Sequence, residues 1–381
     1  MPRQWIVWLG DDWGYQTSSA QQLAACLAES HRLLWVNSVG MRTPQLTWRD
    51  LQRLWTKGVS TPGLTTRDEV TVASVRLLPL HQWRWARSVN RLIARRATAR
   101  WCRALKIDEA LVVCSVPTAV DLVHALAPRR LIYYCMDDFA TLPGVDWHMV
   151  EALEAEVIAR ADVVLVNSPA VGELARFAGR RVTAFPHGVE FQRFNAAAAG
   201  PDAEVRALVH DLPRPILGFA GYLDQRIDIE LLVKVAQQRP GSLLLVGEVA
   251  TSLEPLRALP NVLAVGYVPY TEVPRYLAAC DVLLAPYVRN STTAALQPLK
   301  ILEYLATGAP VVATRLPALE PLASLVDLAP DHATFLRCVQ DALANPNRQR
   351  EARVRYAQEH SWENRAREFE RLVDLEAQPG T

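Results

Sequence analysis

Short apolar runs that alternate with helical patterns constrain this chain more than any other feature of its sequence. The runs form two series, Trp5 to Leu9, Leu33 to Val36, Ala110 to Cys114, Leu131 to Tyr134 and Val163 to Val166, then Ile216 to Ala220, Leu243 to Val246, Leu263 to Val265, Val282 to Ala285 and Val311 to Ala313. Such runs are typical of buried strands, and their alternation with helices predicts parallel sheets covered on both faces. The sequence therefore predicts an α/β protein with two doubly wound, Rossmann-like domains.

The break between the two series gives the domain organisation. The segment from Phe194 to Gly200, F-N-A-A-A-A-G, is low in complexity and predicts a linker. We therefore expect an N-terminal domain over residues 1–194, a C-terminal domain over 201–360 and a final segment over 361–381. Two such domains in tandem would face each other across a cleft, with the carboxyl ends of their strands presented to it.

Composition and charge exclude several classes of protein. The 381 residues are 50% hydrophobic and carry a formal net charge of +1, which provides no overall basic field for nucleic acid. The six cysteines are scattered singly, as buried thiols in a reducing cytoplasm would be. The N-terminus lacks a long apolar segment, and no stretch is long enough to span a bilayer. We expect a soluble cytoplasmic protein, or at most one that is peripheral on the inner face of the membrane.

The segment from Pro298 to Thr314, P-L-K-I-L-E-Y-L-A-T-G-A-P-V-V-A-T, predicts a helix followed at once by a buried strand. Pro298 suits the first helical position and Gly308 suits the stop just past the last turn. Lys300 and Glu303 are three residues apart near the helix N-terminus, where free N–H groups favour a phosphate. Lys300 would then bind a diphosphate and Glu303 the ribose hydroxyls, or the two side chains form only a weak surface pair.

Loops after other predicted strands of the C-terminal half add candidate residues for the binding of a nucleotide. Arg226 is either a second cation for the diphosphate or a surface arginine paired with Asp224 or Asp228. Small residues allow the backbone to approach a ligand, and the tyrosines either hold a nucleobase or belong to ordinary packing. These candidates are Gly221, Tyr222, Gly247, Glu248, Tyr267, Val268 and Tyr270, with Pro298 and Leu299 at the helix start.

The N-terminal half carries candidates for the acceptor side. The loop Asp11, Asp12, Trp13 and Gly14 lacks the glycine spacing of a dinucleotide fingerprint, and its carboxylates either bind a sugar hydroxyl or form a turn that caps the next helix. Asp137 and Asp138 supply too few oxygen ligands for a metal by themselves, which favours turn or cap roles. His187 either contacts the acceptor or is a structural histidine.

A basic, tryptophan-rich region precedes the third strand of the first series. From Pro79 to Ile107 the chain has eight Lys and Arg residues and no acidic residue. Within it, the helix over 84–105 has an apolar i, i+4 stripe of Val89, Ile93, Ala97, Trp101 and Leu105. Such a helix either docks on an anionic membrane surface or packs on the core with a solvated basic face.

The order of these pieces resembles the GT-B fold, GT4-like family of retaining nucleotide-sugar glycosyltransferases, especially its bacterial cell-surface polysaccharide branch. The resemblance covers nearly the whole chain and is strongest from about Gly218 to Thr314. The motifs that carry it are G-D-D-W-G, Y-Y-C-M-D-D-F, V-N-S, P-H-G-V-E-F-Q-R-F, K-I-L-E-Y-L-A-T-G-A-P-V-V-A-T and the late H-S-W-E. It implies that the last helix returns to pack on the first domain.

The sequence departs from the family pattern at three places. Only the second of the family's two paired glutamates is present, as Glu303, because position 295 is Ala295. The sugar contacts of the first glutamate would then come from Asn290, Thr292, Thr293 or the loop backbone. Ser115 occupies the place of a family histidine, and Tyr222 that of an arginine, which leaves Arg226 as the better cation.

The resemblance implies transfer of a sugar, with retention, from a UDP- or GDP-type sugar to a glycan or lipid-linked acceptor. Lys300, Arg226 and the helix N-terminus would stabilise the leaving phosphate without a metal ion, and no cofactor is implied. Two alternatives stay open. A nucleotide-sugar epimerase of the same fold is one, and a non-catalytic glycosyltransferase-like binding protein is the other.

Overall fold

The computed structural model describes residues 4–14, 18–37, 64–67, 69–136, 145–167, 169–238, 241–290, 293 and 298–373. Contacts between residues divide the chain into two compact units. Unit 1 comprises Met1–Pro186 with Ala366–Thr381, and unit 2 comprises His187–Arg365. Among the described residues, no helix is both long and apolar enough to cross a bilayer.

Unit 1 is built on an eight-stranded sheet in the order β3-β4-β2-β1-β5-β6-β7-β8. Its strands are β1 Trp5–Gly10, β2 Arg32–Asn37, β3 Thr65–Arg67, β4 Val70–Ser74, β5 Ala110–Cys114, β6 Arg130–Cys135, β7 Val163–Val166 and β8 Val182–Ala184. All neighbouring pairs are parallel except β3 with β4. The helices are α1 Ser19–Ala28, α2 Arg84–Leu105, α3 Val120–Leu126, α4 Trp147–Arg160 and α5 Pro169–Gly172.

Unit 2 is built on a six-stranded, fully parallel sheet in the order β11-β10-β9-β12-β13-β14. Its strands are β9 Ile216–Ala220, β10 Ser242–Val246, β11 Val262–Gly266, β12 Val282–Ala285, β13 Val311–Thr314 and β14 Asp327–Ala329. The helices are α6 Phe191–Asn195, α7 Ala203–Leu208, α8 Ile229–Gln237, α9 Glu254–Arg257, α10 Val273–Leu277, α11 Lys300–Thr307, α12 His332–Ala344 and α13 Arg350–Glu359. Since successive strands run outward in opposite directions from β9 and β12, the topological switch point lies between these two strands.

The two sheets confirm the predicted doubly wound domains. Every predicted strand lies within or overlaps an observed one, and most of the predicted strands are buried because helices cover both faces, whereas the edge strand β11 is only partly buried. The last helix, α14 Trp362–Leu372, carries the chain back to unit 1. There the ring of Phe369 stacks at 6.0 Å from the ring of Trp8, and Glu370 pairs with His31 at 2.9 Å.

The segment that we predicted as a linker lies inside unit 2. Phe194 is fully buried and Phe191 is 6% exposed, and both belong to the core of unit 2. Residues Ala196–Ala199 form a 3-10 turn that continues α6. The contact-based boundaries at Pro186 and Arg365 therefore differ from those that low complexity suggested, because two aromatic side chains fix this segment to the core.

Helix α2 presents a different face to the core from the one that its apolar stripe suggested. The residues buried against unit 1 are Ala86, Asn90, Ala94, Thr98 and Trp101. Of the predicted stripe, Trp101 is buried and Ile93, Ala97 and Leu105 pack partly buried on the core, whereas Val89 is 40% exposed. Small residues face inward because they allow the helix to approach its neighbours closely.

Candidate functional site

Helix α11 places Lys300 and Glu303 at the switch point of unit 2. The α-helix begins at Lys300, two residues later than predicted, because Pro298 and Leu299 form a tighter turn in which the Pro298 carbonyl accepts from Ile301 N at 3.0 Å. Gly308 ends the helix with φ 77°, and β13 follows at Val311, as the sequence predicted.

A cavity of about 300 Å³ opens at the carboxyl ends of strands of the unit 2 sheet, and we call it the Lys300 cavity. It is lined by residues that follow β9, β11 and β12 and by the first turn of α11, all within unit 2. The lining residues are Ala220, Gly221, Tyr222, Arg226, Ile227, Tyr270, Val273, Tyr287, Pro298, Leu299, Lys300 and Glu303. Eight of these twelve were predicted from the sequence to bind the donor or to act on it.

The Lys300 ammonium lies over two aromatic rings and packs closely against Gly221. Its Nζ is 3.9 Å from the centroid of the Phe219 ring and 5.5 Å from that of Tyr287. A Cβ added at Gly221, whose φ is +137°, would lie 2.4 Å from this Nζ. Burial, with the positive charge of Arg226 nearby, lowers the pKa of Lys300 to about 7, although Glu303 and Asp224 oppose the shift. An anion bound in the cavity would restore the full charge of Lys300.

Glu303 is a buried carboxyl that faces the same cavity. Glu303 is only 8% exposed, and burial raises the pKa of its carboxyl to about 7. The Tyr270 hydroxyl, which donates to the carboxyl, and the charge of Lys300 both oppose the shift, while Glu190 adds to it. Near neutral pH the carboxyl is thus poised between its two states, and hydrogen-bond donors from a ligand would favour the charged form that accepts them.

Arg226 lines the cavity and is held by Asp224, one of the two partners that the sequence left open. Its Nε is 3.0 and 2.9 Å from the two Asp224 oxygens, and its NH2 is 2.7 Å from one of them. Burial would raise the pKa of Asp224, but hydrogen bonds from Arg226 hold it below its usual value. Asp228 instead caps α8, accepting from Leu231 N at 2.8 Å, and contacts His332. Arg226 is therefore aimed by a carboxylate rather than left as a loose surface cation.

Two glycines bring the loops after β9 and β10 together. A Cβ at Gly247, whose φ is +139°, would lie 2.0 Å from the Gly221 carbonyl oxygen, so only glycine fits. The next residue, Glu248, accepts from Leu223 N at 2.9 Å through its backbone. This close approach of the two backbones fixes the position of Gly221, which lies beside Lys300.

Other predicted donor residues lie outside the cavity lining as the described residues define it. Tyr267 is 73% exposed, and Val268 packs partly buried on the core. Asn290 and Thr293 form a local turn, in which the Asn290 side chain accepts from Thr293 N at 2.9 Å and the Thr293 hydroxyl donates to Val288 O at 2.6 Å. Thr292 and Ala295 lie outside the described residues.

The predicted acceptor loop of unit 1 is tied to α1. The Asp11 carboxylate accepts from Gln21 Nε2 at 3.1 Å and from the hydroxyl of Ser18, the N-cap of α1, at 3.4 Å. Burial raises the pKa of Asp11 despite these bonds. The Asp12 carbonyl and the Gly14 amide also bond to the Gln21 side chain. The Asp11 carboxylate therefore bonds to side chains of α1 and its N-cap, while Ser18 rather than an aspartate caps the helix.

Aromatic contacts complete that loop. Trp13 N donates to Asn37 Oδ1 at 3.0 Å, and its ring lies 5.0 Å from that of Trp35. Ser115 is 1% exposed, and its hydroxyl accepts from Trp8 Nε1 and donates to Leu9 O, both at 3.1 Å. Core packing therefore explains Ser115 fully.

The remaining acceptor candidates add no open group among the described residues. Asp137 and Asp138 lie outside those residues. Burial and the nearby Arg365 lower the pKa of His187 to about 4, so its imidazole is neutral at physiological pH. Sequence reasoning missed Tyr287 and Phe219, whose rings surround the Lys300 ammonium; their only signal was an aromatic at or just after the end of a buried strand.

Comparison with known proteins agrees with this architecture. Residues 214–345, which include the Lys300 cavity, match the family model described as glycosyl transferases group 1. The chain is 33% identical over 206 residues to TuaH of Bacillus subtilis (strain 168), provisionally named a teichuronic acid biosynthesis glycosyltransferase. That match covers 50% of this chain and 51% of TuaH, so it spans about half the length of the curated relative.

Solved structures match along almost the full chain. Sucrose-phosphate synthase (tll1590) from Thermosynechococcus elongatus is 19% identical with a TM-score of 0.69, over 98% of this chain and 99% of that one. Anabaena Alr3699/HepE in complex with UDP and glucose is 15% identical with a TM-score of 0.65, over 98% and 100%. The chain therefore has the GT-B fold, and its second unit contains a region that matches the group 1 glycosyl transferase model.

Proposed function

We propose that this chain is a glycosyltransferase that moves a sugar, with retention, from a nucleotide diphosphate sugar to a glycan or lipid-linked acceptor. One observation carries the proposal. A buried ammonium, Lys300, and a buried carboxyl, Glu303, line one cavity at the switch point of unit 2 and at the N-terminus of α11. Charged groups are costly to bury, and a nucleotide diphosphate would give Lys300 an anionic partner and Glu303 additional hydrogen-bond donors.

Each part of the nucleotide-sugar donor has its own proposed contacts in the cavity. The diphosphate lies against Lys300 and the N–H groups of the first turn of α11, with Arg226 as a second cation aimed by Asp224. Glu303 accepts hydrogen bonds from the ribose hydroxyls. The aromatic residues Tyr267 and Tyr270 offer a face for a base of the uridine or guanosine type. The Anabaena neighbour with UDP and glucose bound is consistent with such a ligand.

The chemistry follows from where charge develops. As the bond between the sugar C1 and the phosphate oxygen breaks, negative charge grows on the leaving diphosphate, and the acceptor oxygen forms the new bond to C1. The acceptor proton passes to the departing phosphate oxygen, so no separate protein base is needed. Lys300 and Arg226 stabilise the growing charge, an effect worth about 3 kcal/mol for a well-placed donor.

The proposed acceptor class and biological role are supported by the similarity to TuaH. TuaH is provisionally assigned to teichuronic acid biosynthesis, and this supports a role in surface polysaccharide or glycoconjugate assembly, on the cytoplasmic side where nucleotide sugars are available. The proposal includes catalysis without a resident metal ion, with the cations of the cavity in its place.

Calorimetry of the full chain with UDP, GDP and UDP-glucose tests the site. Binding of one nucleotide should be weakened more than tenfold in Lys300→Ala and Glu303→Ala, whereas Lys234→Ala, which changes a partly exposed lysine of unit 2 outside the cavity lining, should bind like the wild type. Turnover with an acceptor should fall by two orders of magnitude or more in both cavity variants. Normal binding and turnover in both would overturn the assignment.

Incubation with the donor alone separates the alternatives. A glycosyltransferase releases free sugar slowly by hydrolysis, whereas an epimerase would return a different nucleotide sugar. A chain that binds nucleotide but turns over no donor across a broad acceptor panel would be a binding protein, and our proposal would then be wrong.

A further inference from the structure

Helix α2 exposes apolar side chains on the face that points away from the core. Trp85 is 56% exposed, Val89 40% and Leu92 49%, and Trp83, just before the helix, is 55% exposed. These are four of the nine large hydrophobic side chains that are exposed among the described residues. At 100° per residue, positions 85, 89 and 92 share one side of the helix. Exposed apolar side chains clustered in this way mark an interaction surface.

The other side of α2 is anchored, so the exposed face cannot turn inward. The Arg87 guanidinium contacts both Glu156 and the buried Asp121, at 3.2 Å from the latter. The Asn90 side chain accepts from Leu78 N at 2.7 Å and donates to Leu78 O at 3.0 Å. These contacts fix the rotation of the helix about its axis.

The same outward face becomes basic toward the C-terminal end of the helix. Seven arginines and no acidic residue lie between Arg84 and Leu105. Arg87 and Arg91 both form ion pairs with the buried Asp121. Arg95, Arg96 and Arg103 are exposed, and no ion pair of the described residues engages them. We call this face, with Trp83, Trp85, Val89 and Leu92 followed by Arg95, Arg96 and Arg103, the α2 outer face.

We propose that the α2 outer face docks the protein on the surface of an anionic lipid bilayer. Tryptophan and leucine enter the boundary between headgroups and acyl chains, while arginines lie along the phosphates. The face extends over about 27 Å from Trp85 to Arg103, at 1.5 Å per residue, which suits a plane rather than a pocket. A second copy of the chain would bring the same arginines against each other, which like-charge repulsion disfavours.

This inference goes beyond the proposed function, since it concerns unit 1 and needs no nucleotide. If the acceptor is lipid-linked, docking would bring the enzyme to the membrane where that acceptor resides. The assay can therefore succeed or fail independently of the Lys300 cavity.

Co-sedimentation with vesicles tests the docking. The probes are vesicles of phosphatidylcholine alone and of phosphatidylcholine with about 30 percent phosphatidylglycerol. The full wild-type chain should bind the anionic vesicles, and binding should fall as salt rises from about 0.1 M to about 0.5 M. Equal binding to both vesicle types, or no binding to either, would refute the proposal.

Two triple variants assign the contact to the face. Removing three charges with Arg95→Gln, Arg96→Gln and Arg103→Gln should lower the partition coefficient roughly 100-fold, and Trp85→Ser, Val89→Ser and Leu92→Ser should lower it at least tenfold. The matched control is Arg257→Gln, Arg337→Gln and Arg355→Gln, which removes three exposed charges from unit 2 and should bind as the wild type does.

Three further outcomes are decisive. Circular dichroism should show the same helix content and melting in every variant, because all substituted side chains are exposed. Loss of binding in the control as strongly as in the basic variant would mean a general charge effect and would overturn the assignment to α2. A wild-type dimer in light scattering that the apolar variant abolishes would instead make the face a contact between copies.

Discussion

Replacing Lys300 with methionine should make the empty protein more stable while it abolishes donor binding. Methionine has nearly the same length and fills the space beside the rings of Phe219 and Tyr287, but it carries no charge and makes no cation–π contact with them. The ammonium is held in a site that burial makes unfavourable for charge, and its pKa is lowered from 10.5 to about 7. Folding therefore works against the charged lysine.

The size of the gain follows from that shift. At 1.36 kcal/mol per pKa unit, the shift corresponds to roughly 4 to 5 kcal/mol at pH 7 or below. The attraction to Glu303 is already part of that shift, but the methionine variant also loses the cation–π contacts with Phe219 and Tyr287, and we therefore expect a net gain of about 2 kcal/mol. For a unit of this size that is a rise of about 4 to 8 °C in melting temperature.

The direction in which this stability difference changes with pH follows from the same shift in the Lys300 pKa. The folded state holds Lys300 with a pKa below its unfolded value, so the folded state binds fewer protons and wild-type stability rises between pH 7 and 10.5. The advantage of Lys300→Met should therefore be largest near pH 6.5 and should shrink toward pH 10.

Calorimetric melting of wild type, Lys300→Met and Lys234→Met measures this directly. Lys234 is partly exposed, forms an i, i+4 pair with Glu230 and contacts His332 at 3.0 Å, so its loss should cost at most about 1 kcal/mol at any pH. Equal melting temperatures of wild type and Lys300→Met near pH 6.5, or a gap that does not narrow toward pH 10, would show that the burial argument is wrong.

Three other outcomes are expected. Glu303→Gln should weaken nucleotide binding about tenfold or more, since the amide accepts ribose hydrogen bonds less well than a carboxylate. Wild-type affinity should be highest near pH 7, because Glu303 gains a proton below that pH and Lys300 loses its proton above it, and a pH-independent affinity would contradict this. Gly221→Ala should reduce nucleotide affinity more than tenfold, whereas Gly200→Ala, also at positive φ but with open space around it, should not, as titration calorimetry will show. Asp121→Asn should destabilise unit 1 by about 3 kcal/mol in urea unfolding, because Asp121 is fully buried against two arginines, whereas the exposed Glu109→Gln should change stability by less than about 0.5 kcal/mol.

Among the described residues, sequence periodicity predicted ten of the fourteen strands and missed four, of which β4 is interior and the other three lie at sheet edges. The missed strands are β3, β4, β8 and β14, and three of them have only three residues. An interior strand is covered by helices on both faces, so all its residues are apolar and the run stands out, as in β12. The strands at the sheet edges, such as β8 and β14, are too short to show a period and depend on pairing with a neighbour that is distant in sequence.

The site was predictable where the chemistry is local and unpredictable where it depends on a tertiary contact. Lys300 and Glu303 are three residues apart on one helix, and helical geometry alone places them together. The sequence could not decide between Asp224 and Asp228 as the partner of Arg226. The fold decides, because Asp228 is already used twice, as the N-cap of α8 and as the partner of His332.

The choice of partner bears on catalysis. Asp224 lies near both Arg226 and Lys300, and its negative charge favours the charged form of the lysine. If the carboxylate were removed, Arg226 would lose its bidentate anchor and Lys300 would keep its proton less readily, so both cations would weaken together. Asp224 therefore acts as a positioning residue for the pair that we assign to the diphosphate.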